Sequence, residues 1–586
     1  MAKWFVKNKK ADFAAIAEKF QIHPVTARLI RNRDLIGDEM IERFLNGGIS
    51  ELYDPHLLKD ASLLVDILKE KIKQGKPIRI IGDYDIDGVM STLILYEGLN
   101  RVNATVSYAI PHRVMDGYGL NLHLIELAAA DGIDTILTCD NGISAIKEIA
   151  YAKEQGMTVL VTDHHQIPFE ETTDGPLYLK SEADAIVNPH QEDCGYPYKE
   201  LCGAGVAWKV ICLLYEAFGI PVEETFPFLG YVGFATVGDV MPLTDENRIL
   251  VKEGLKKLRT TKNPGLLALI AQCNLNPSDI DTYHLGYVLG PCINAAGRLD
   301  TAKLALELFL QEDELRARGI AHELVTLNEE RKEKTLEGVA LAKELARQPE
   351  YEKDAVLVLF LEEVHESIAG IIAGKVRECF EKPTIILTKT EEGVKGSGRS
   401  VEGYSMYEEL CRCKELLSKF GGHPMAAGLS LPTENVEKLR LQLNRNCNLT
   451  KDELQEKIHV DMAMPMDYAT VDLVSEWRLL APFGRENPKP IFADRNLRIR
   501  KMFLVGKRQN VLKLCLETEG GRHVNAIFFR DIRAFFDFLS DKFGDEEVEK
   551  ALNGQENAIV LSVIYAPGIN TFQGGLQLQL EVQFYC

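Results

Sequence analysis

The chain has 586 residues, too many for one hydrophobic core, so two to four domains are expected. With 46% hydrophobic and 26% charged residues it has the composition of an ordinary soluble protein, and its longest apolar runs are strand-sized, so no membrane span is expected. A formal net charge of -20 means that a polyanionic substrate would have to be held by locally concentrated cations or by metals.

The 12 cysteines are scattered without a C-x-x-C pair; Cys411 and Cys413 come nearest, with nothing beside them to complete a zinc set. The opening Met1-Ala2-Lys3-Trp4-Phe5 precedes no apolar run. Reduced thiols and a cytoplasmic location are the expectation.

In chain order, residues 1–75 carry Ala, Glu, Lys, Ile and Leu at helical spacing and read as a helical leader. From 76 to 310, short apolar runs such as Ile78–Ile81, Thr135–Thr138, Thr158–Val161 and Ala185–Val187 alternate with helical patterns, before a mostly helical stretch. That alternation predicts a parallel sheet with helices on its faces. The charged segment 311–350 predicts a long connecting helix. A second α/β segment spans 351–450, opening at Ala355–Phe360. The last segment, 451–586, has short alternating strands such as Leu576–Val582, which suggests a small β-barrel or sandwich.

The strand Ile78–Ile81 runs into Gly82-Asp83-Tyr84-Asp85-Ile86-Asp87-Gly88, where alternate residues can turn three carboxylates to one side. Such a cluster repels itself unless a cation neutralises it. A calcium loop opens in the same way, but it needs Glu at its twelfth position, which here is Ile94, and a helix ahead of it. Two further strands end in Cys139-Asp140-Asn141-Gly142 and Thr162-Asp163-His164-His165. Ligands bind beyond the carboxyl ends of strands in open parallel sheets, so these ends predict one shared crevice. A lone Asp at a strand end is usually a cap or turn former; three such ends together are not. Adjacent histidines diverge, so one can ligate metal while the other meets a substrate oxygen. Asp239 lies in the otherwise apolar Ala235–Pro242 and is a fourth carboxylate in need of a partner. Mixed oxygen and imidazole donors suit manganese or magnesium. Two such ions would clamp a phosphoryl group, activate water and stabilise the leaving oxygen, which predicts hydrolysis of a phosphate ester or anhydride.

These residues resemble the DHH phosphoesterase superfamily, whose name is spelled here by Asp163-His164-His165, and within it most closely the RecJ-type single-strand exonucleases. The resemblance covers nearly the whole chain. It includes Asn32-Arg33-Asp34, Asp54–Asp60, Leu201–Ala207, Gly238–Leu243 and Asn294-Ala295-Ala296-Gly297-Arg298. It implies that Asp85, Asp87, Asp140, His164 and Asp239, joined by Asp83, bind two Mn2+ or Mg2+ ions. His165 would face the scissile phosphate, and Asp163 and Arg298 would complete the catalytic group. The segment 351–450 resembles the DHHA1 substrate-binding domain through His365–Ala373, Gly396-Ser397-Gly398-Arg399-Ser400 and Phe420–Gly428. That implies a clamp on the 5′ end from Ser397, Arg399 and His423, with Arg113 contributing and Tyr118 stacking on a base. The C-terminal segment resembles an OB-like β-barrel, and Pro482–Pro488 resembles the segment leading into it.

The implied architecture is α/β, with a helical leader (1–75), a parallel-sheet DHH catalytic domain (76–310), a connecting helix (311–350), an α/β DHHA1 domain (351–450) and the barrel (451–586). The implied activity is 5′→3′ hydrolysis of single-stranded DNA in recombination and repair, with a helicase or single-strand-binding protein as candidate partner and no membrane. The alternative is a phosphodiesterase for short oligonucleotides or cyclic dinucleotides, but the leader and C-terminal strands argue against it. A pyrophosphatase is disfavoured by the Gly421-Gly422-His423 signature, and a non-catalytic scaffold by the retention of every Asp and His ligand position. Two departures stand out. Family members often carry Arg where Cys292 stands and Gly where Glu486 stands, so weaker backbone binding is expected.

Overall fold

The computed structural model describes residues 3–113, 116–172, 175–390, 393–450, 457–506, 509–570 and 576–586. The chain divides into two compact units. One comprises Leu52–Met241 and Glu246–Gln455, the other Met1–Glu51, Pro242–Asp245 and Glu456–Cys586.

The larger unit is built on a five-stranded parallel sheet in the order Val106–Ala109, Ile78–Ile81, Thr135–Cys139, Thr158–Thr162, Ala185–Val187. The predicted apolar runs are four of these strands, Val106–Ala109 being the one not predicted, and all of Thr135–Cys139 is buried, as a sheet covered on both faces requires. The chain starts on the second strand, steps outward to Val106–Ala109, then returns to Thr135–Cys139 on the other side. Such a reversal leaves a crevice beyond the strand ends.

The helix Ile86–Arg101 follows the first strand and is buried from Ile86 through Leu95. Gly98 lets it cross the helix Gly203–Phe218 closely, since a Cβ there would lie 2.5 Å from Ile211. Inside this layer, Lys209 Nζ and Glu246 form a 2.6 Å ion pair with both side chains at most 1% exposed. Tyr196 Oη also donates to Glu246 at 2.6 Å, so the buried charges are matched by hydrogen bonds.

The predicted connector is a single helix, Glu314–Ala346, of 33 residues and roughly 50 Å. It leads to a second five-stranded sheet in the order Lys419–His423, Ala426–Leu431, Gly393–Arg399, Thr384–Thr390, Leu357–Phe360, antiparallel except for its last pair.

In the other unit, Phe492–Val505 pairs with both Val511–Glu517 and Val560–Asn570. His523–Phe528 and Gln577–Tyr585 complete the ring, giving a closed five-stranded barrel filled by Phe492, Phe528, Phe535 and Tyr565. The leader departs from the all-helical expectation. Lys3–Val6 is a strand paired in parallel with Lys457–Val460, and residues to Glu51 belong to the barrel unit, while the helix Ala61–Lys73 belongs to the other. No helix among the described residues is long and apolar enough to cross a membrane, and the cysteines are free thiols.

Candidate active site

Each acidic side chain is placed by a strand end or a helix end. Asp85 is the N-cap of Ile86–Arg101, and its Oδ1 accepts from the amides of Asp87 at 2.9 Å and Gly88 at 3.1 Å. Gly88 is required here, because a Cβ would lie 2.4 Å from the Asp83 carbonyl oxygen. Asp87 is fully buried and points at the N-terminus of Gly203–Phe218, accepting from Gly203 N at 2.6 Å and Ala204 N at 2.8 Å. A helix N-terminus favours a carboxylate, so these amides fix Asp87 in direction and favour its ionised form. Asp140 follows the central strand with φ 60°, a left-handed conformation that Asp tolerates better than most residues. Asp239 caps the C-terminal end of Leu229–Gly238.

These groups converge on His164, whose Nε2 lies 3.1 Å from Asp140, 3.5 Å from Asp87 and 3.8 Å from Asp239. Potential ligand atoms fall into three sets, each within 4.8 Å: Asp83, Asp85 and Asp140; Asp87, His164 and Asp239; and Asp140, His164 and His165. Burial pushes Asp83 and Asp140 well above the usual carboxylate range, and carboxylate neighbours push them further. Asp87 is raised by burial as well, against the opposing pull of His164. Burial also lowers His164, which keeps it neutral and able to ligate, although Asp87 opposes this. Oδ1 of Asp83 and Oδ1 of Asp140 are buried without a hydrogen-bond partner. Unpaired buried carboxylate oxygens are costly, and divalent cations shared among the sets would satisfy both. The donor set fits two hard metal ions.

Asp163 differs from the other acids. Its Oδ1 accepts from the amides of His164 at 2.7 Å and His165 at 3.0 Å, and its Oδ2 from Ile143 N at 2.9 Å. Nδ1 of His165 donates to the same Oδ1 at 2.7 Å. Burial alone would lower His165, but the Asp163 bond outweighs it and raises the imidazole to about 9. Burial would raise Asp163, yet His165 and the amide donors hold it down to about 2. With Nδ1 engaged, the half-exposed ring leaves Nε2 for the crevice.

Tyr118 Oη donates to the Asp140 carbonyl at 3.0 Å and lies 3.3 Å from the His165 ring nitrogens. Arg113 stacks over Tyr84 at 4.6 Å. Tyr84, Arg113 and Tyr118 line a cavity of about 290 Å³ together with Ser367 and Ser397 of the second α/β layer. Arg399 Nη1 donates to Ser397 Oγ at 3.2 Å, and Gly370 leaves room for both, since a Cβ there would lie 2.7 Å from Arg399 Nη2. Arg298 ties the two layers by donating to Ser367 O at 2.6 Å, and burial, then Arg113, lowers it to about 10. His423 is exposed on the edge strand and is not among the described residues lining this cavity.

Three asparagines that sequence reasoning did not single out hold the loops. Asn294 Oδ1 accepts from Ile86 N at 2.8 Å, Asn141 Nδ2 donates to Ile81 O at 3.0 Å, and Asn188 Nδ2 donates to His165 O at 2.9 Å. The strand-end rule, extended to Ala185–Val187, would have found Asn188. Cys292 is buried, donating to Val288 O at 3.3 Å and accepting from Asn328 at 3.4 Å. It therefore faces the helix Glu314–Ala346.

The comparisons with known proteins agree with this geometry. Models of the DHH family N-terminal domain, the DHHA1 domain and the RecJ OB domain match residues 77–233, 353–448 and 460–583. The single-stranded-DNA-specific exonuclease RecJ of Haemophilus influenzae is 32% identical over 583 residues, covering 96% of both chains. The chain belongs to the RecJ family. The RecJ of Bacillus subtilis is 34% identical over 525 residues, which are 89% of this chain and 65% of that one, so the chain spans about two thirds of that relative. The RecJ of Thermus thermophilus, crystallised with Mn2+, superposes with a TM-score of 0.81 at 25% identity, covering 100% of this chain and 79% of that one. The α/β RecJ fold predicted from the motifs, barrel included, is the one found.

Proposed function

We infer that the protein is a metal-dependent exonuclease that hydrolyses single-stranded DNA from the 5′ end, acting in recombination and repair. The observation that carries this reading is the clustering of Asp83, Asp85, Asp87, Asp140, His164 and Asp239, with Tyr118 both bonding the Asp140 carbonyl and lining the cavity shared by Arg113 and Ser397.

In this reading, Asp83, Asp85, Asp87, Asp140, His164 and Asp239 hold two Mn2+ or Mg2+ ions, which supply an activated water and charge neutralisation at phosphorus. Asp87 is oriented by Gly203 and Ala204, and Asp85 by its own helix cap, so the donors are set before substrate arrives. His165, fixed and kept protonated by Asp163, presents Nε2–H to an oxygen of the scissile phosphate. Water adds to phosphorus, the P–O3′ bond breaks, the 3′ oxygen takes a proton, and the new 5′ phosphate stays on the shortened strand. Arg113, Ser397 and Arg399 receive the terminal 5′ phosphate, while Arg298 ties the helix Gly290–Leu299 to the second layer through Ser367. Tyr118 stacks on the first base. A 5′ end seated next to the scissile bond sets the polarity. The cytoplasm is the site of action, and a helicase or single-strand-binding protein is a fitting partner, because either one exposes or presents single strands.

Digestion of 5′- and 3′-labelled single strands and duplexes, and of a dinucleotide, with Mn2+ or Mg2+ tests this. Release of the 5′ label from single strands first is expected. Cleavage of the dinucleotide alone, or degradation from the 3′ end, would overturn the assignment.

A further inference from the structure

Tyr283 and Tyr287 are 56% and 73% exposed, yet their rings stack on one another at 5.3 Å and 26°. Large aromatics one helical turn apart usually face a core; here both face solvent. Tyr287 lies within the turn His284–Leu289 and Tyr283 is the residue just before it; that turn is π-helical, a rare geometry that often marks functional positions.

The helix runs without a break from this turn into Gly290–Leu299. Gly286 packs toward Val237, two residues before Asp239, with a Cβ there only 3.5 Å from Val237 Cγ1. Further along, Asn294 binds Ile86 N within the acidic loop, and Arg298 binds Ser367 O at the cavity. Tyr287, Asn294 and Arg298 are spaced seven and eleven residues apart, close to one face of a helix. At 1.5 Å per residue, Tyr287 lies on the order of 15 Å along the axis from Arg298.

We propose that the Tyr283–Tyr287 pair is a base-stacking platform for single-stranded DNA leaving the crevice on the 3′ side of the scissile phosphate. The proposal rests on the exonuclease reading above. Its occupant is a nucleobase, because an exposed ring face offers stacking to any base without reading sequence. In a chain of net charge -20, stacking also retains a strand without further phosphate-binding cations. Duplex bases already stack on each other and gain nothing from such a platform, so it favours single strands.

The test compares the unmodified protein with the Tyr283→Ala/Tyr287→Ala and Tyr283→Phe/Tyr287→Phe double variants, measuring KM and kcat on 5′-phosphorylated strands from a trinucleotide to about 20 nucleotides. The unmodified protein should bind long strands more tightly than the trinucleotide. In the alanine variant that ratio of KM values should shrink about tenfold, while the phenylalanine variant keeps it. Strands with abasic positions beyond the first few nucleotides should weaken binding to the unmodified protein and not further weaken the alanine variant. The response of the unmodified protein to abasic strands decides the matter even if the alanine variant misfolds. An unchanged length dependence in the alanine variant, or indifference of the unmodified protein to abasic positions, would overturn the platform alone. Absence of 5′-end hydrolysis in the unmodified protein would instead overturn the exonuclease reading.

Discussion

Asp163 accepts a 2.7 Å hydrogen bond from Nδ1 of His165 while its other oxygen accepts from the amide of Ile143. A carboxylate can only accept, so this bond sets the tautomer of His165 and aims its second nitrogen at the crevice. In the proposed reaction Asp163 would therefore act through His165 as a positioning residue, outside the three ligand sets. Asp163→Asn puts an amide where an acceptor is needed, and kcat should fall about 100-fold or more with a much smaller change in KM. His165→Gln should cost a similar factor. Because the pair works as one unit, the double variant should lose little beyond either single variant. Multiplying losses would show that the two residues act independently.

Asp140 is buried beside Asp83, Asp85 and Asp87, and these neighbours raise it beyond what burial does. Repulsion among these carboxylates is expected to destabilise the metal-free protein and to favour a bound divalent cation. Asp140→Asn should therefore raise the melting temperature of chelator-treated protein by a few degrees and abolish most of the further rise on adding Mn2+. Activity should fall about 100-fold or more. Calorimetry with and without Mn2+ checks both signs. A variant that melts lower than the parent without metal, or keeps the full Mn2+ rise, would contradict the ligand assignment.

The Asp residues assigned to the metals were legible in the sequence because a parallel sheet brings strand ends together, and Asp83, Asp140 and His164 all follow apolar strand runs. What orients them was not. Asp87 is held by amides of Gly203 and Ala204, 116 and 117 positions away, and nothing local in either segment announces that contact. The strand Lys3–Val6 was hidden for the same reason, since its partner Lys457–Val460 lies at the other end of the chain. That Cys292 faces the helix Glu314–Ala346 could not be read from one helical position; the tertiary contact with Asn328 decides it.

Glu486, where family members often have Gly, adopts φ 58°. A side chain in this left-handed region crowds the backbone by roughly 1–2 kcal/mol, part of which glycine forfeits in chain entropy. Glu486→Gly should stabilise the barrel unit by about 0.5–1 kcal/mol, whereas Glu486→Ala, which removes the carboxylate but keeps the Cβ, should not. Thermal melting of the three proteins separates backbone strain from charge. Equal gains from glycine and alanine would assign the effect to the carboxylate.

Glu97, on the C-terminal half of the helix Ile86–Arg101, lines a cavity of about 340 Å³ with Tyr231, Lys257 and Lys262. Burial raises its carboxyl to about 7. The folded protein thus retains this proton at a pH where the unfolded chain, at its ordinary 4.5, has released it. The contribution to stability is whole below about pH 4.5 and falls as the pH rises through about 7, for a total loss of at most about 3 kcal/mol. Glu97→Gln cannot ionise. Its melting temperature should fall less than the parent's between pH 5 and pH 8, and at pH 8 it should be the more stable protein. Melting curves across that interval, in one buffer series at constant ionic strength, decide the matter. Parallel curves for parent and variant would mean that Glu97 titrates as an ordinary surface carboxylate.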